Sequence, residues 1–297
     1  MIHRIKLILF ILIGVFLFNT SALFLDDANA STGSRTYYRH DCSSSDNTSY
    51  ISYSLEFGAN FSSNELNRTI IGNNDMVRDY NTAVVRLSNN ATGFIIGEHT
   101  IVTAAHCVYN WNRTHYFYDD ITIDIVDANN NVLDTLSPTY FHIPEDFAML
   151  CYMYDYQNDY ALITVEEDLS DYGMFNLAVA QSSYISNQGQ VVVSGFPAIS
   201  DYPSGYYGSN YGIRFKASGN LTNSGTSNGH NIYYTADMVP GDSGGPVYVE
   251  EGGFISGTMY EYKSVIGINV AQFTTYNIGV QITDDLLRFY YDNDYII

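Results

Sequence analysis

Positive charge is scarce in this chain. Over 297 residues, 12 Lys and Arg face 32 Asp and Glu, for a formal net charge of −20. Such a surface repels phosphate backbones, so nucleic acid is excluded as an expected partner. Cysteine is scarce too. The three residues Cys42, Cys107 and Cys151 are few for a secreted protein and odd in number. One bridge, Cys107–Cys151, is open to them. No His/Cys cluster has zinc spacing, and neither a metal nor a cofactor is expected. Beyond the N-terminus no apolar run is long enough to cross a bilayer, and no stable membrane association is expected. Internal repeats are lacking.

The N-terminus reads as a targeting segment. Arg4 and Lys6 precede an apolar run over residues 7–18, and Ala28-Asn29-Ala30 follows. This predicts a secretory signal peptide over residues 1–30 and an extracellular protein. An uncleaved anchor is the alternative, but the run falls short of the ~20 residues a span needs. Residues 31–69 are rich in Ser, Asn and Thr with little apolar periodicity. They are expected to be flexible and to form a propeptide, or else an extension kept in the mature protein.

From residue 70 onward the pattern changes. Short β-branched and aromatic runs recur at 83–87, 101–104, 121–126, 161–165, 191–193, 247–249 and 265–270, separated by Gly, Asn, Asp and Pro. This predicts an all-β barrel or sandwich protein. A first unit over 70–185 and a second over 186–297 meet at the polar stretch 181–190. One helix is expected at the end, capped by Thr283, with Leu286, Phe289 and Tyr290 on one face.

Chemistry concentrates in three motifs. Gly241-Asp242-Ser243-Gly244-Gly245-Pro246 offers a serine in a glycine-rich turn. A serine hydroxyl attacks a carbonyl only when a base accepts its proton. Thr103-Ala104-Ala105-His106-Cys107 supplies an imidazole, and Asn158-Asp159-Tyr160-Ala161-Leu162-Ile163 a carboxylate to orient it. Asp155 is the rival acid, four residues away. The glycines suit an oxyanion hole built from the N–H groups of Gly241 and Ser243. Because the members come from both units, the site belongs in the crevice between them.

These residues, in the order His, Asp, Ser, resemble the chymotrypsin-like serine proteases. More narrowly, they look like the secreted bacterial glutamyl endopeptidases and V8-type proteases. The resemblance also rests on Ile70-Ile71-Gly72-Asn73-Asn74-Asp75, Val193-Ser194-Gly195-Phe196-Pro197 and Tyr276-Asn277-Ile278-Gly279-Val280. It implies two six-stranded antiparallel β-barrels of trypsin-like type with a short C-terminal helix. It also implies a monomeric endopeptidase made as a zymogen, acting on proteins or peptides. Ser243 would be the nucleophile, His106 the base and Asp159 its orienter.

Three positions depart from that resemblance, and a fourth bears on specificity. Asn269 stands where a histidine would recognise a substrate glutamate, and Met238 where a threonine would assist it. Asp237 matches the aspartate that selects Arg or Lys in trypsin-like enzymes. These three are the candidate substrate-binding residues, and they leave acidic, basic and apolar preferences open. Asp242 replaces an uncharged amide. A carboxylate buried there needs a cation, which cleavage before Ile70 or Ile71 would supply as a new amine.

Overall fold

The computed structural model describes residues 33–57, 77–78, 81–111, 115–150, 156–180, 182–198, 213–222, 230–255, 258–273 and 275–293. The signal-peptide segment, Cys151, Asp155, Ile70 and Ile71 lie outside these described residues.

Nineteen strands and three α-helices organise them. The strands before the midpoint are β1 (Gly33–Asp41), β2 (Ile51–Phe57), β3 (Val77–Arg78), β4 (Val84–Leu87), β5 (Ala91–Gly97), β6 (Thr100–Thr103), β7 (Tyr109–Asn110), β8 (Tyr116–Phe117), β9 (Ile123–Val126), β10 (Val132–Leu136) and β11 (Pro138–Pro144). After them come β12 (Ala161–Val165), β13 (Asn176–Leu177), β14 (Gln190–Gly195), β15 (Phe215–Asn220), β16 (Asn231–Tyr234), β17 (Pro246–Ile255), β18 (Thr258–Gln272) and β19 (Asn277–Gln281). The helices are α1 (Glu145–Leu150), α2 (Ser182–Ser186) and α3 (Asp284–Asn293).

Two antiparallel sheets dominate, as the recurrent short runs predicted. The first runs β10-β9-β4-β5-β6-β12-β11-β1-β2 and the second β16-β19-β18-β17-β14-β15-β3, with β13 paired to β18. They hold nine and eight strands, more than the six expected of each barrel. The central strands are buried throughout because both of their faces are covered. All five residues of β12 are buried, as are all four of β6. One core continues from the first sheet into the second through Phe196, Tyr248, Val265 and Ile268. A smaller cluster around Val191, Val193, Ile232 and Val247 fills the far side of the second sheet.

The terminal helix has the predicted face and cap. The Leu286 N–H donates to Thr283 Oγ1 at 3.4 Å, and Leu286, Phe289 and Tyr290 are buried. The N-terminal expectation needs correction. Residues 33–57 are not a flexible stretch: β1 pairs with β11 from Tyr37↔Pro144 to Asp41↔Tyr140, and β2 pairs with β1. No apolar–polar alternation marks β1, because Thr36, Tyr38 and His40 share one face and Arg35, Tyr37 and Arg39 the other. Tyr38 and His40 are buried on one face of β1 and Tyr37 on the other.

Candidate active site

Neighbouring strands bring the first two candidate residues together. His106 sits in a 3-10 turn, Ala105–Cys107, directly after β6. Asp159 lies just before β12, and β12 pairs with β6 at Ala161↔Thr103. The carboxylate therefore meets the turn from the adjacent strand. His106 Nδ1–H donates to Asp159 Oδ2 at 2.7 Å, and the His106 backbone N–H donates to Oδ1 at 2.9 Å. Both oxygens face one residue, so the ring cannot rotate without losing a bond. Donation from Nδ1 leaves Nε2 as the acceptor. Burial opposes protonation of the ring, but the carboxylate outweighs it and holds the imidazole well above its ordinary range. Asp159 is buried, whereas the His106 side chain keeps 28 % of its surface exposed. It opens on a cleft of about 240 Å³ lined by Trp111, Phe147, Tyr156, Asp159, Val270 and Ala271.

Ser243 arrives from the second half, on the loop before β17. Its carbonyl accepts from the Thr92 N–H at 2.9 Å and from the Cys107 thiol at 3.7 Å. The serine backbone is thus tied to the residue following His106. No hydrogen bond joins the Ser243 hydroxyl to the His106 ring, in contrast to the His106–Asp159 pair. Cys107 is a free, buried thiol, so the Cys107–Cys151 bridge is not formed.

Two glycines allow the loop its path. Gly241 has φ of 103°, and a Cβ there would lie 2.4 Å from Ala198 N and Phe196 O. Gly244 has φ of 84°, and its Cβ would strike Thr103 Oγ1 at 2.1 Å and Thr92 O at 2.2 Å. Both the left-handed backbone and the close approach require glycine. The N–H groups of Gly241 and Ser243 donate to no backbone carbonyl among the described residues.

Thr92, on β5, is a clamp that the motifs did not signal. Its hydroxyl donates to Gly241 O at 2.8 Å and accepts from Phe196 N–H at 3.0 Å. Its carbonyl accepts the Thr103 hydroxyl at 2.7 Å. One buried side chain therefore holds the serine loop against the strand leading to His106. An Ala-Thr-Gly tripeptide carries nothing to distinguish this role from an ordinary strand threonine.

Asp242 is buried at 1 % exposure. The Val239 N–H donates to its Oδ2 at 3.0 Å, but Oδ1 has no hydrogen-bond partner. Burial pushes this carboxyl up to about 8. Asn269 braces the same loop. Its Oδ1 accepts the Tyr234 hydroxyl, and its Nδ2 donates to Asp242 O at 2.9 Å. Met238 is buried in the second-sheet core, while Asp237 is only half-buried. Of the three candidate specificity residues, Asn269 and Met238 are thus engaged in packing the loop.

A family model described as Trypsin matches residues 70–281. The chain belongs to the trypsin family. Glutamyl endopeptidase of Bacillus licheniformis is a relative of this trypsin-family chain, 24 % identical over 229 residues, spanning 74 % of this chain and 67 % of that protein. A solved Glu endopeptidase, in complex with MPD, superposes with a TM-score of 0.58 at 18 % identity, covering 76 % of this chain and 99 % of that one. Human heparin binding protein superposes with a TM-score of 0.50 at 12 % identity, covering 74 % and 95 %. The fold is trypsin-like. The β1–β2 hairpin lies outside the matched span.

Proposed function

We propose that this chain is a secreted serine endopeptidase that hydrolyses peptide bonds through an acyl-enzyme and is made as a zymogen. The observation carrying this reading is the two-point grip of Asp159 on His106, on a trypsin-family fold with Ser243 on the facing loop. In the reaction, Ser243 Oγ attacks the substrate carbonyl while His106 Nε2 takes its proton. The N–H groups of Gly241 and Ser243 receive the negative oxygen as it forms. His106 then gives its proton to the leaving amine, and a water repeats the sequence to release the acid. Asp159 keeps the Nδ1 tautomer throughout.

The unpartnered Oδ1 of Asp242 and the absent Ser243–His106 bond support reading the uncut chain as a precursor. Cleavage before Ile70 or Ile71 would create an amine to neutralise Asp242 and set the loop. The signal-like residues 1–30 support export. Relatives named for glutamate cleavage do not fix preference here. No cation stands among Asp237, Met238 and Asn269, and Asp237 would repel an acidic side chain. The proposed enzyme therefore cuts after residues other than glutamate. A panel of peptides differing only at the residue before the cut tests this, and cleavage confined to Glu would overturn it.

A second reading is a protease-fold binding protein without activity. The missing Ser243–His106 hydrogen bond and the fold shared with a heparin binding protein favour it, because fold alone does not carry function. A fluorophosphonate probe separates the two. Labelling of the processed chain, lost in Ser243→Ala, supports the enzyme; no labelling of processed chain supports the binder.

A further inference from the structure

The hairpin outside the family-matched span reaches the candidate catalytic acid. Tyr37 on β1 is fully buried, and its ring stacks on Phe289 of α3 with centroids 4.2 Å apart. Its hydroxyl meets the Tyr160 hydroxyl at 3.3 Å. Tyr160 follows Asp159 directly, is fully buried, and packs edge-on against the same Phe289 at 5.6 Å. Arg35 Nη1 donates to the Tyr160 hydroxyl at 3.3 Å, and Arg35 Nε lies 3.9 Å from Asp285 on α3. Three distant segments therefore close on the residue beside Asp159: an N-terminal strand, the start of β12 and the last helix.

The hairpin is held elsewhere as well. Tyr38 donates to Glu145 Oε1 at 2.9 Å at the start of α1, whose Phe147 lines the cleft beside His106. The His40 ring stacks on Phe117 at 4.5 Å. The Cys42 N–H donates to Thr139 O at 3.0 Å, and Phe117 N–H to Asn47 O at 2.9 Å. A segment discarded on activation has no need to fill the core behind the acid. Removing this one would strip a sheet edge from β11 and leave Tyr160 and Phe289 facing a void.

We propose that the β1–β2 hairpin is a permanent part of the working protein, retained non-covalently after any downstream cut, and that Tyr37 and Arg35 are positioning residues for Asp159 acting through Tyr160. Retention is independent of the enzymatic reading; the positioning role rests on it.

The test uses full-length protein with a site-specific protease sequence inserted between residues 57 and 77. After complete cutting, native size-exclusion chromatography with mass spectrometry follows the N-terminal fragment. Co-elution with the body, ended only by denaturant, is expected. A fragment that elutes alone from a folded body overturns retention. For positioning, the low-field proton resonance of the His106 Nδ1–H···Asp159 bond is followed in Tyr37→Phe, Tyr37→Ala and Tyr160→Phe. This signal needs no catalytic activity. Displacement or broadening in Tyr37→Ala, with near-native behaviour in Tyr37→Phe, supports the role. If Tyr37→Ala fails to fold, Tyr160→Phe decides: it keeps the ring and removes the hydroxyl that both partners meet. An unchanged resonance in folded Tyr37→Ala or Tyr160→Phe overturns positioning. In active enzyme, Tyr37→Ala and Tyr160→Phe should lower kcat by roughly 10- to 100-fold with KM preserved, as expected for small displacements of a catalytic group.

Discussion

The two halves of the candidate site differ in how far they are finished. On the first sheet, His106 and Asp159 are joined by two hydrogen bonds from adjacent strands, and Tyr160, next to Asp159, packs against the fully buried Phe289 ring. On the second, the Ser243 loop carries a buried carboxyl with one oxygen unanswered. Yet the loop is not loosely held: Thr92, Asn269 and two glycines define its course. His106 is set by strand pairing, which is complete once the sheet forms. Ser243 is set by a loop whose buried carboxyl has no cation bonded to it among the described residues. A protein arranged this way can fold fully and still await one added positive charge.

The comparison breaks most completely if the chemistry is absent. Ser243→Ala or His106→Ala in the processed chain should lower kcat by about 10⁶-fold, since either deletion removes the whole nucleophilic unit. Peptide hydrolysis measures this, with circular dichroism confirming the fold. Asp159→Asn should cost about 10⁴-fold, because an amide facing Nδ1 favours the wrong tautomer. A variant of Asp159 with nearly full activity would transfer the acid's role to Asp155.

Asp242 sharpens the comparison because its two states respond in opposite directions. Its carboxyl stays protonated in the uncut fold up to about 8, but ionises in the unfolded chain near its ordinary 3.8. Between those values the unfolded state loses its proton and the folded state does not. Stability of the uncut chain should therefore fall as pH rises from 4 towards 8, at up to about 1.4 kcal/mol per pH unit, and level off above. Asp242→Asn should flatten that slope in urea unfolding between pH 5 and pH 8. In the processed chain the same change should abolish the gain in activity on cleavage. Equal activity before and after cleavage in the native protein would remove the activation argument.

Much of this was legible in the residues, and what was hidden had a physical reason. His106, Asp159 and Ser243 were visible because their chemistry demands fixed neighbours, and the closing helix because Leu286, Phe289 and Tyr290 keep helical spacing. The hairpin was hidden. Both faces of its first strand mix polar side chains with the buried Tyr37, Tyr38 and His40, and such a composition reads as polar until the covering sheet is seen. Thr92 was hidden because a side chain that clamps a distant loop has no local signature. Asn269 pointed towards substrate by position alone; only the coordinates show its oxygen taken by Tyr234 and an amide hydrogen taken by Asp242 O.

Two histidines on the first sheet extend the contrast to acid stability. The carboxylate at His106 raises its ring, so activity should appear as pH climbs through a midpoint above the ordinary imidazole value, read from a kcat/KM profile. His142 on β11 has no carboxylate bonded to it. Tyr53 meets its Nδ1 at 2.9 Å, its Nε2 is buried without a partner, and burial lowers it to about 3. The folded ring stays neutral while the unfolded one takes a proton below 6.5. Its contribution to stability should be intact above that value and decline as pH falls towards 3, by at most about 1.4 kcal/mol per pH unit. His142→Gln cannot titrate, so wild type and variant should differ in the pH slope of their urea midpoints between 6.5 and 5. Parallel slopes would mean that the His142 ring takes up its proton in the folded sheet as readily as in the unfolded chain.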